Sequence, residues 1–441
     1  MRPGSAKHRW RLRACAALLL CVAESVSAQS TAPIPLREYL DAVVAHNLDL
    51  RAQRETEVSA QAGVSLAGVR PDPQFNGGIA SKELYAPNRP NASTATTAGV
   101  AFTLETAGKR DARLRAAHSN VRLSETNVAA FKRQLEADAA AAFIDGCSAQ
   151  ATLARKESSL GAMREIVRAN EIRMNAGDIG RLELSQSRVE ADRFEADVVN
   201  ARAASKAADL NLATFLGAPR EQRFPARELE CSWHDPSIED DVDDLVRRAL
   251  AARDDVHQAR AAVENARDNL ELARANRWVD PTISLALTNT PRVSPILDSG
   301  GNITNMPAER SVTLSLTVSV PIPLSRSQHG ELTQAGSAVT QAELQLRSIQ
   351  LKAETEVRQA YVQFSATSLN VQTYGGRVVA EAQHVLEGTR TSYRKGATSL
   401  LELLNAQRSA DDVYLSYVQA LADRANATVK LQLGTGVRPE L

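Results

Sequence analysis

The sequence predicts a mainly α-helical protein with membrane β-strands, built from one structural unit that occurs twice. Proline is absent between Pro90 and Pro219 and again between Pro323 and Pro439. Because proline inside a helix costs about 3 kcal/mol, each gap permits a very long helix. Alternating apolar and polar residues lie at or just before the start of each gap, a pattern typical of a β-strand with one apolar face.

Residues 1–28 are predicted to be a secretory signal peptide. A basic start is followed by a short apolar run at 14–23, and Val26-Ser27-Ala28 has the small residues of a cleavage site. The alternative is a lipoprotein signal in which Cys21 is acylated. We therefore expect the mature chain to be exported.

Composition argues against several classes of protein. The 441 residues carry 52 basic and 52 acidic side chains, so no nucleic-acid partner is indicated. No nucleophile with a matching base, phosphate loop or dinucleotide fingerprint stands out, so we expect no enzyme and no cofactor. Cys147 and Cys231 remain after the signal. Two separate thiols are the favoured interpretation, and a disulfide in the oxidising compartment is the alternative.

Matching segments indicate the duplication. Gly177 and Leu182-Glu183-Leu184 recur as Gly396 and Leu401-Glu402-Leu403. A unit of this length is too long for a solenoid repeat and fits tandem duplication of a whole structure. The predicted organisation is a first repeat over 29–217, a linker over 218–241, a second repeat over 242–434 and a tail over 435–441.

Four strands are predicted, at about 74–80, 96–105, 282–289 and 311–322. The last strand alternates most strictly, and its apolar face carries Val312, Leu314, Leu316 and Val318. A tilted membrane-crossing strand needs about 9–11 residues, so we expect this face to contact outer-membrane lipid. An open sheet edge is not tolerated in hydrocarbon, so other chains must complete the sheet. Three copies would supply 12 strands, although edge pairing alone does not fix that number.

Two long helices are predicted, over about 109–175 and 327–395. The first would span about 100 Å at 1.5 Å per residue. Return helices over 178–216 and 242–277 together match that length, so the chain would leave the membrane and come back. The second long helix carries a coiled-coil seam at Leu332, Ala335, Val339, Ala342, Leu346, Ile349 and Ala353. Such helices can form the wall of a hollow tube.

With the helix-reversal segments at 173–184 and 393–407, this organisation resembles the TolC family of outer-membrane efflux proteins over residues 36–434. The resemblance implies a homotrimer in which a 12-stranded barrel continues into a long α-helical tunnel in the periplasm. It also implies two partners, a periplasmic adaptor and an inner-membrane RND-type pump. Length and the Ser325–Gly330 stretch are most similar to the heavy-metal branch, the CzcC, CnrC and NccC type. That branch implies divalent cations such as nickel, cobalt, cadmium or zinc as cargo.

The resemblance also assigns roles to the two reversals. The periplasmic tip, where the adaptor docks, would contain Arg173, Gly177, Leu182, Tyr393, Arg394, Gly396 and Leu401. The pore constriction would lie at Glu402 and Asn405, with Glu183 as the first-repeat counterpart of Glu402. Three copies of Glu402 would form an acidic ring that favours cations. Many relatives carry a second Asp where this chain has Asn405, so we expect a less acidic ring here.

Several tip residues also have a structural interpretation. Gly177 and Gly396 are expected to end helices in the left-handed conformation. Ser399-x-x-Glu402 matches a capping box, which does not exclude a role in the pore. Tyr393 and the neighbouring arginines form either closing contacts between helices or solvated helix ends. For the whole chain, the alternatives are a duct for drugs or other small molecules, or a periplasmic coiled-coil adaptor or structural protein.

Overall fold

The computed structural model describes residues 32–80, 95–232, 241–292, 294–304, 307–322 and 329–440. The predicted signal peptide, the Cys21 alternative and residues 325–328 of the Ser325–Gly330 stretch lie outside the described residues. The strands are β1 (Gln74–Ile79), β2 (Thr96–Thr103), β3 (Thr282–Thr290) and β4 (Ser311–Ser319). The helices are α1 (Leu36–His46), α2 (Leu48–Ala67), α3 (Lys109–Ala176), α4 (Arg181–Leu216), α5 (Arg220–Arg223), α6 (Val242–Ala252), α7 (Asp254–Ala275), α8 (His329–Thr373), α9 (Val379–Arg394) and α10 (Leu400–Gly434).

The strands form one antiparallel sheet in the order β1-β2-β3-β4. The register pairs Val100 with Leu285 and Leu285 with Leu316, so apolar residues of neighbouring strands share a face. Two strands are shorter than predicted, since β2 ends before residue 105 and β4 before residue 322. Pro321 has no N–H with which to continue the ladder beyond β4.

Helix α3 has 68 residues and is therefore about 100 Å long. Its first half packs against α2 and α7, and its second half packs against α4. Glycines in the left-handed conformation flank it at Gly108 and Gly177. Within the described ranges, no helix combines the length and apolar character needed to cross a bilayer.

Two helical segments, one of them the predicted return helix over 242–277, are each divided at a single extended residue. Asn47, with ψ of 130°, separates α1 from α2, and Arg253, also with ψ of 130°, separates α6 from α7. The Asn47 side chain accepts a hydrogen bond from Leu50 N at 2.9 Å and donates one to Phe215 O at 3.1 Å. Arg253 instead pairs with Asp255 and Glu356. These side-chain contacts favour a break that apolar periodicity alone does not reveal.

The predicted helix at 327–395 is also wrong as a continuous α-helix, because a π-helical turn at Tyr374–Val378 separates α8 from α9. Two consecutive glycines in this turn weaken the α-helical preference. The ring of Tyr417 on α10 packs against Gly375 so closely that a Cβ there would lie 3.1 Å from it. Of the predicted α8 seam, Ala342 and Ala353 are buried, and the other five residues are partly buried.

The favoured interpretation of the cysteines is wrong, because Cys147 and Cys231 form a disulfide with their Cα atoms 5.5 Å apart. A short parallel bridge between Ile34 and Leu229 brings the linker beside α3. Because 84 positions separate the cysteines, only the tertiary fold reveals their proximity. The disulfide lies in a buried core that includes Tyr39 and Phe143 of the first repeat and Val429 of α10.

Candidate functional site

The two helix reversals have the same backbone design. Helix α3 ends before Gly177, with φ of 85°, and Asp178 N donates to Arg173 O at 2.9 Å. Helix α9 ends before Gly396, with φ of 72°, and Ala397 N donates to Ser392 O at 2.9 Å. Glycine adopts this left-handed conformation without steric cost, so the predicted role of both glycines is confirmed.

The second reversal contains the predicted capping box. Glu402 N donates to Ser399 Oγ at 3.3 Å, and Ser399 N donates to Glu402 Oε2 at 3.1 Å. The hydroxyl of Thr398 also donates to this carboxylate. These hydrogen bonds, that of Thr398 first, lower the pKa of Glu402 from its ordinary value of 4.5. Glu402 and Asn405 are exposed, and they lie on the opposite face of α10 from the buried Leu403.

Glu183 has a different role at the first reversal. Its carboxylate lies 2.9 Å from the hydroxyl of Tyr393, which belongs to the other hairpin. The same hydroxyl lies 2.8 Å from Asn170 Oδ1 on α3. Tyr393 is only 5% exposed, and burial, followed by the bond to Glu183, raises the pKa of its phenol to about 12. The α3–α4 hairpin and the α9–α10 hairpin are thus joined at their ends.

Arg173 and Arg394 differ in their contacts at the point where Tyr393 joins the two hairpins. The guanidinium of Arg173 lies over the Tyr393 ring, with Cζ 5.3 Å from the ring centroid, a cation–π contact. Arg394 donates only to Thr391 on its own helix, at 3.4 Å. Leu182 and Leu401 are 72% and 66% exposed. The structure therefore brings Arg173, Tyr393 and Glu183 together and leaves the other predicted tip side chains on the surface.

A second set of buried polar contacts joins the hairpins further from the reversals. Asp411 of α10 accepts hydrogen bonds from Arg155 Nε and Ser159 Oγ of α3, both at 2.7 Å. Gln407, only 2% exposed, lies 3.2 Å from the same carboxylate. Sequence reasoning missed Asn170, Gln407 and Asp411. The available signal was a polar residue at a position where the helical pattern requires an apolar one.

The sheet presents an uncovered apolar face. Val312, Leu314, Leu316 and Val318 of β4 are between 56% and 69% exposed. The alternate positions of β4 are serine and threonine. Across β2 and β3, Thr97 and Thr288 hydroxyls lie 3.0 Å apart. One face of the sheet is therefore apolar and the other polar.

Open edges occur at three levels of the protomer. Among the described strands, β1 and β4 lie at the two edges of the sheet, each with one side unpaired. Near the sheet, helices lie in the row α2, α3, α7 and α8, and near the reversals in the row α4, α3, α10 and α9. Exposed apolar residues follow the edge helices α8 and α4, at Leu344, Leu351, Val362 and Leu369 and at Leu182, Val189, Val199 and Leu210.

No group of three or more His, Cys, Asp or Glu side chains that could hold a metal ion occurs among the described residues. A sheet with one apolar face that continues into a helix of about 100 Å defines the class of protein, one in which a one-sided sheet is joined to a long helical body.

The chain belongs to the outer membrane efflux protein family, whose profile it matches at residues 39–218 and 245–437. It is 22% identical over 404 residues to the cobalt-zinc-cadmium resistance protein CzcC of Cupriavidus metallidurans, covering 91% of this chain and 90% of that protein. It is 26% identical over 325 residues to the outer membrane efflux protein BepC of Brucella suis, covering 72% of this chain and 68% of that protein. The crystal structure of CusC superposes with a TM-score of 0.72 at 20% identity, covering 92% of each chain.

This membership confirms the predicted family and the mainly helical fold. The protein is an outer-membrane efflux component of a Gram-negative bacterium, with a large helical part in the periplasm. As a member of a family of transport ducts, it is not an enzyme.

Proposed function

We propose that this chain forms a homotrimeric exit duct, the outer-membrane component of a tripartite efflux system for divalent heavy-metal cations. A periplasmic adaptor and an inner-membrane RND-type pump would complete the system, and the pump would supply the energy. The observation that carries the proposal is the set of open edges at β1 and β4, at α2 and α8, and at α4 and α9.

In the sheet and in each of the two helix rows, the open edges lie at opposite ends. One rotation from protomer to protomer would therefore pair the open edges of the sheet and of both rows. If β4 of one protomer pairs with β1 of the next, α8 meets the neighbouring α2 and α9 meets the neighbouring α4. Such head-to-tail contacts close into a ring when the rotation permits. Three copies then give 12 strands around a barrel, with Val312, Leu314, Leu316 and Val318 towards lipid.

The reversals are proposed to form the periplasmic tip. The exposed segments around Gly177 and Gly396, with Leu182, Arg394 and Leu401 beside them, supply a surface for the adaptor. The bond between Tyr393 and Glu183 holds the two hairpins of a protomer together and so keeps the tip narrow. Glu402 and Asn405, exposed on α10, form the ring that faces the pore.

The cargo assignment rests on two observations. The CzcC protein, which covers 91% of this chain, is named for resistance to cobalt, zinc and cadmium. The lowered pKa of Glu402 keeps its carboxylate charged in a mildly acidic periplasm, and a ring of carboxylates favours cations. BepC and the nodulation protein T of Rhizobium leguminosarum, which match 72% and 92% of this chain, keep the export of other small molecules as the second candidate.

The assembly is tested by fractionating cell envelopes and measuring the native mass of the detergent-extracted protein. We expect the chain in the outer membrane with the mass of three copies. A water-soluble monomer would favour the adaptor or structural interpretation instead.

The cargo is tested by deleting the gene and measuring growth and metal content. The deletion strain is expected to accumulate nickel, cobalt, cadmium or zinc and to be more sensitive to it, with unchanged tolerance of hydrophobic drugs. The opposite pattern would support the second candidate. In reconstituted trimers, Glu402→Ala is expected to reduce cation preference and block by multivalent cations. The matched control is Glu381→Ala, which removes another exposed carboxylate from the adjacent helix α9.

A further inference from the structure

The hydroxyl of Tyr393 lies between two possible acceptors for its one proton. The phenol of Tyr393 carries one proton, yet two acceptor oxygens lie within hydrogen-bond distance of it. Glu183 Oε1 is at 2.9 Å and Asn170 Oδ1 is at 2.8 Å. A tyrosine hydroxyl can donate to only one of them. If the proton were given to Asn170, the hairpins would be joined by a bond to a neutral amide, and the Glu183 carboxylate would lose the Tyr393 donor.

Asn170 also has an unmet requirement of its own. Its side chain is 0% exposed, and among the described residues its Nδ2 has no hydrogen-bond partner. A buried N–H group without an acceptor costs about 1–3 kcal/mol. The oxygen and nitrogen ends of an amide have nearly the same shape, so the hydrogen-bond network decides which end faces the phenol. With Nδ2 towards Tyr393, the orphan donor gains an acceptor and the phenol proton is left for Glu183.

We propose that Asn170 is a positioning residue for closure of the tip: its amide N–H donates to Tyr393 Oη and thereby directs the phenol proton to Glu183. This inference rests on the proposed closing role of the Tyr393–Glu183 bond. It forms a directed chain from α3 through α9 to α4. A bond to a carboxylate is stronger than a bond to a neutral amide, so the chain favours the contact between the hairpins.

The surrounding charges agree with this direction. The charged groups that face the phenol are Glu183 from α4 and Arg173 from α3. Beside burial, Glu183 raises the pKa of Tyr393, as the acceptor of its proton does.

The direction of the chain is tested with Asn170→Asp in the full-length trimer, by planar-bilayer conductance between about pH 5 and about pH 9. While it is protonated, the introduced carboxylic acid would donate to Tyr393 as the amide does, so the tip should stay closed at low pH. Ionisation removes the donor at position 170 and places a second negative charge beside Glu183. One hydrogen bond between the hairpins is then lost, so the open fraction should rise with pH, by about tenfold. Closure that strengthens with rising pH would overturn the proposal, since Asn170 would then be an acceptor.

Four further variants separate this role from a merely structural one. Asn200→Asp places a new carboxyl on the exposed surface of α4 and should leave the open fraction independent of pH. Asn170→Ala removes the competing oxygen together with the donor and leaves the phenol proton to Glu183, so it should open the tip less than Tyr393→Phe does. Combining Asn170→Ala with Tyr393→Phe should open the tip no more than Tyr393→Phe alone. An additive double variant, or an Asn170→Asp profile as flat as that of Asn200→Asp, would contradict the proposal.

Amide hydrogen exchange over residues 174–184 distinguishes failure of this inference from failure of the proposed function. The exchange, compared with wild type at each pH, reports the contact between hairpins without any conduction. If exchange in Asn170→Asp loosens with pH while conductance stays constant, Asn170 directs the bond but the bond does not close a pore. If neither changes, the inference itself is wrong.

Discussion

The first and second helix reversals share a backbone but use equivalent glutamates for different purposes. Each reversal ends its first helix before a left-handed glycine, and the next helix begins four residues after that glycine. Before α10, the capping residue is Ser399, and Glu402 bonds back to it. Before α4, the capping residue is Gly180, which has no side chain, and Glu183 reaches Tyr393 instead. The glutamate therefore caps its own helix where the capping residue is serine, and joins two hairpins where the capping residue is glycine.

The same contrast recurs where the repeats end. Gly217 and Gly436, both left-handed, each pack against the end of the short helix that begins their repeat. A Cβ at Gly217 would lie 2.8 Å from His46 O, and one at Gly436 would lie 2.7 Å from Ala252 Cβ. The segments that follow differ, because the linker is held by the Cys147–Cys231 disulfide and the tail by ion pairs. The two repeats thus have similar backbone contacts at their ends and differ in the side-chain contacts of the segments that follow.

The largest expected effect concerns how the two repeat ends are held. Replacing both cysteines, Cys147→Ser with Cys231→Ser, is expected to lower the free energy of unfolding by about 4 kcal/mol, because the disulfide closes a long loop in the unfolded chain. Arg37→Ala removes the exposed ion pair with Glu440 from the tail and should cost less than about 1 kcal/mol. Chemical unfolding of the extracted protein measures both. Equal losses of unfolding free energy would show that the disulfide stabilises the fold no more than the exposed ion pair does.

The next effect breaks the first reversal's bond between hairpins. Tyr393→Phe keeps the buried ring and removes the proton that Glu183 accepts, which is worth about 1.5–3 kcal/mol for a charged acceptor. Amide exchange over residues 174–184 is expected to accelerate at least tenfold. Tyr361→Phe on α8 is the matched control and should change nothing there. Unaltered exchange in Tyr393→Phe would mean that the hairpins are held by packing alone.

A third variant converts the first reversal into a copy of the second. Gly180→Ser supplies the missing capping hydroxyl three residues before Glu183, which completes a capping box. We expect α4 to gain about 1 kcal/mol at its first turn while Glu183 turns away from Tyr393. The pKa of Tyr393 should then fall below its present value of about 12, since burial would act without Glu183. An unchanged Tyr393 pKa would show that the Glu183 carboxylate keeps its contact with Tyr393 even when a capping hydroxyl is present.

The smallest effect concerns charge at the second reversal. The folded pKa of Glu402 lies below 4.5, so its hydrogen bonds stabilise the turn above that pH and are lost as the pH falls through the lowered pKa. Thr398→Val removes the largest cause of the lowering and should move the pKa of Glu402 upward. Cation preference of reconstituted trimers would then be lost at a higher pH than in wild type. If cation preference were lost at the same pH in Thr398→Val and in wild type, Glu402 would not determine the cation selectivity.

Much of this fold follows from the sequence because its signals are periodic. The strand alternation around Leu314 and Leu316 and the proline-free blocks predict the sheet and the long helices, and Ser399 with Glu402 predicts the capping box. Local chemistry of this kind acts within a few residues and needs no tertiary contacts. The left-handed conformations of Gly177 and Gly396 belong to the same group.

Other features depend on contacts between distant segments. The disulfide requires the bridge between Ile34 and Leu229, and the breaks at Asn47 and Arg253 depend on partners in other helices. The role of Asn170 was hidden because a polar residue in a long helix is ordinarily a solvated one. Only the tertiary fold, which brings the Tyr393 hydroxyl within 2.8 Å of its side chain, shows that this amide is buried.

The most direct test of the account is the ion conductance of the outer-membrane-extracted protein in planar bilayers. We predict a trimer that forms cation-preferring pores of low conductance, which Tyr393→Phe enlarges and Tyr361→Phe does not. Trimers that never conduct, or pores indifferent to the loss of the Tyr393 hydroxyl, would contradict it.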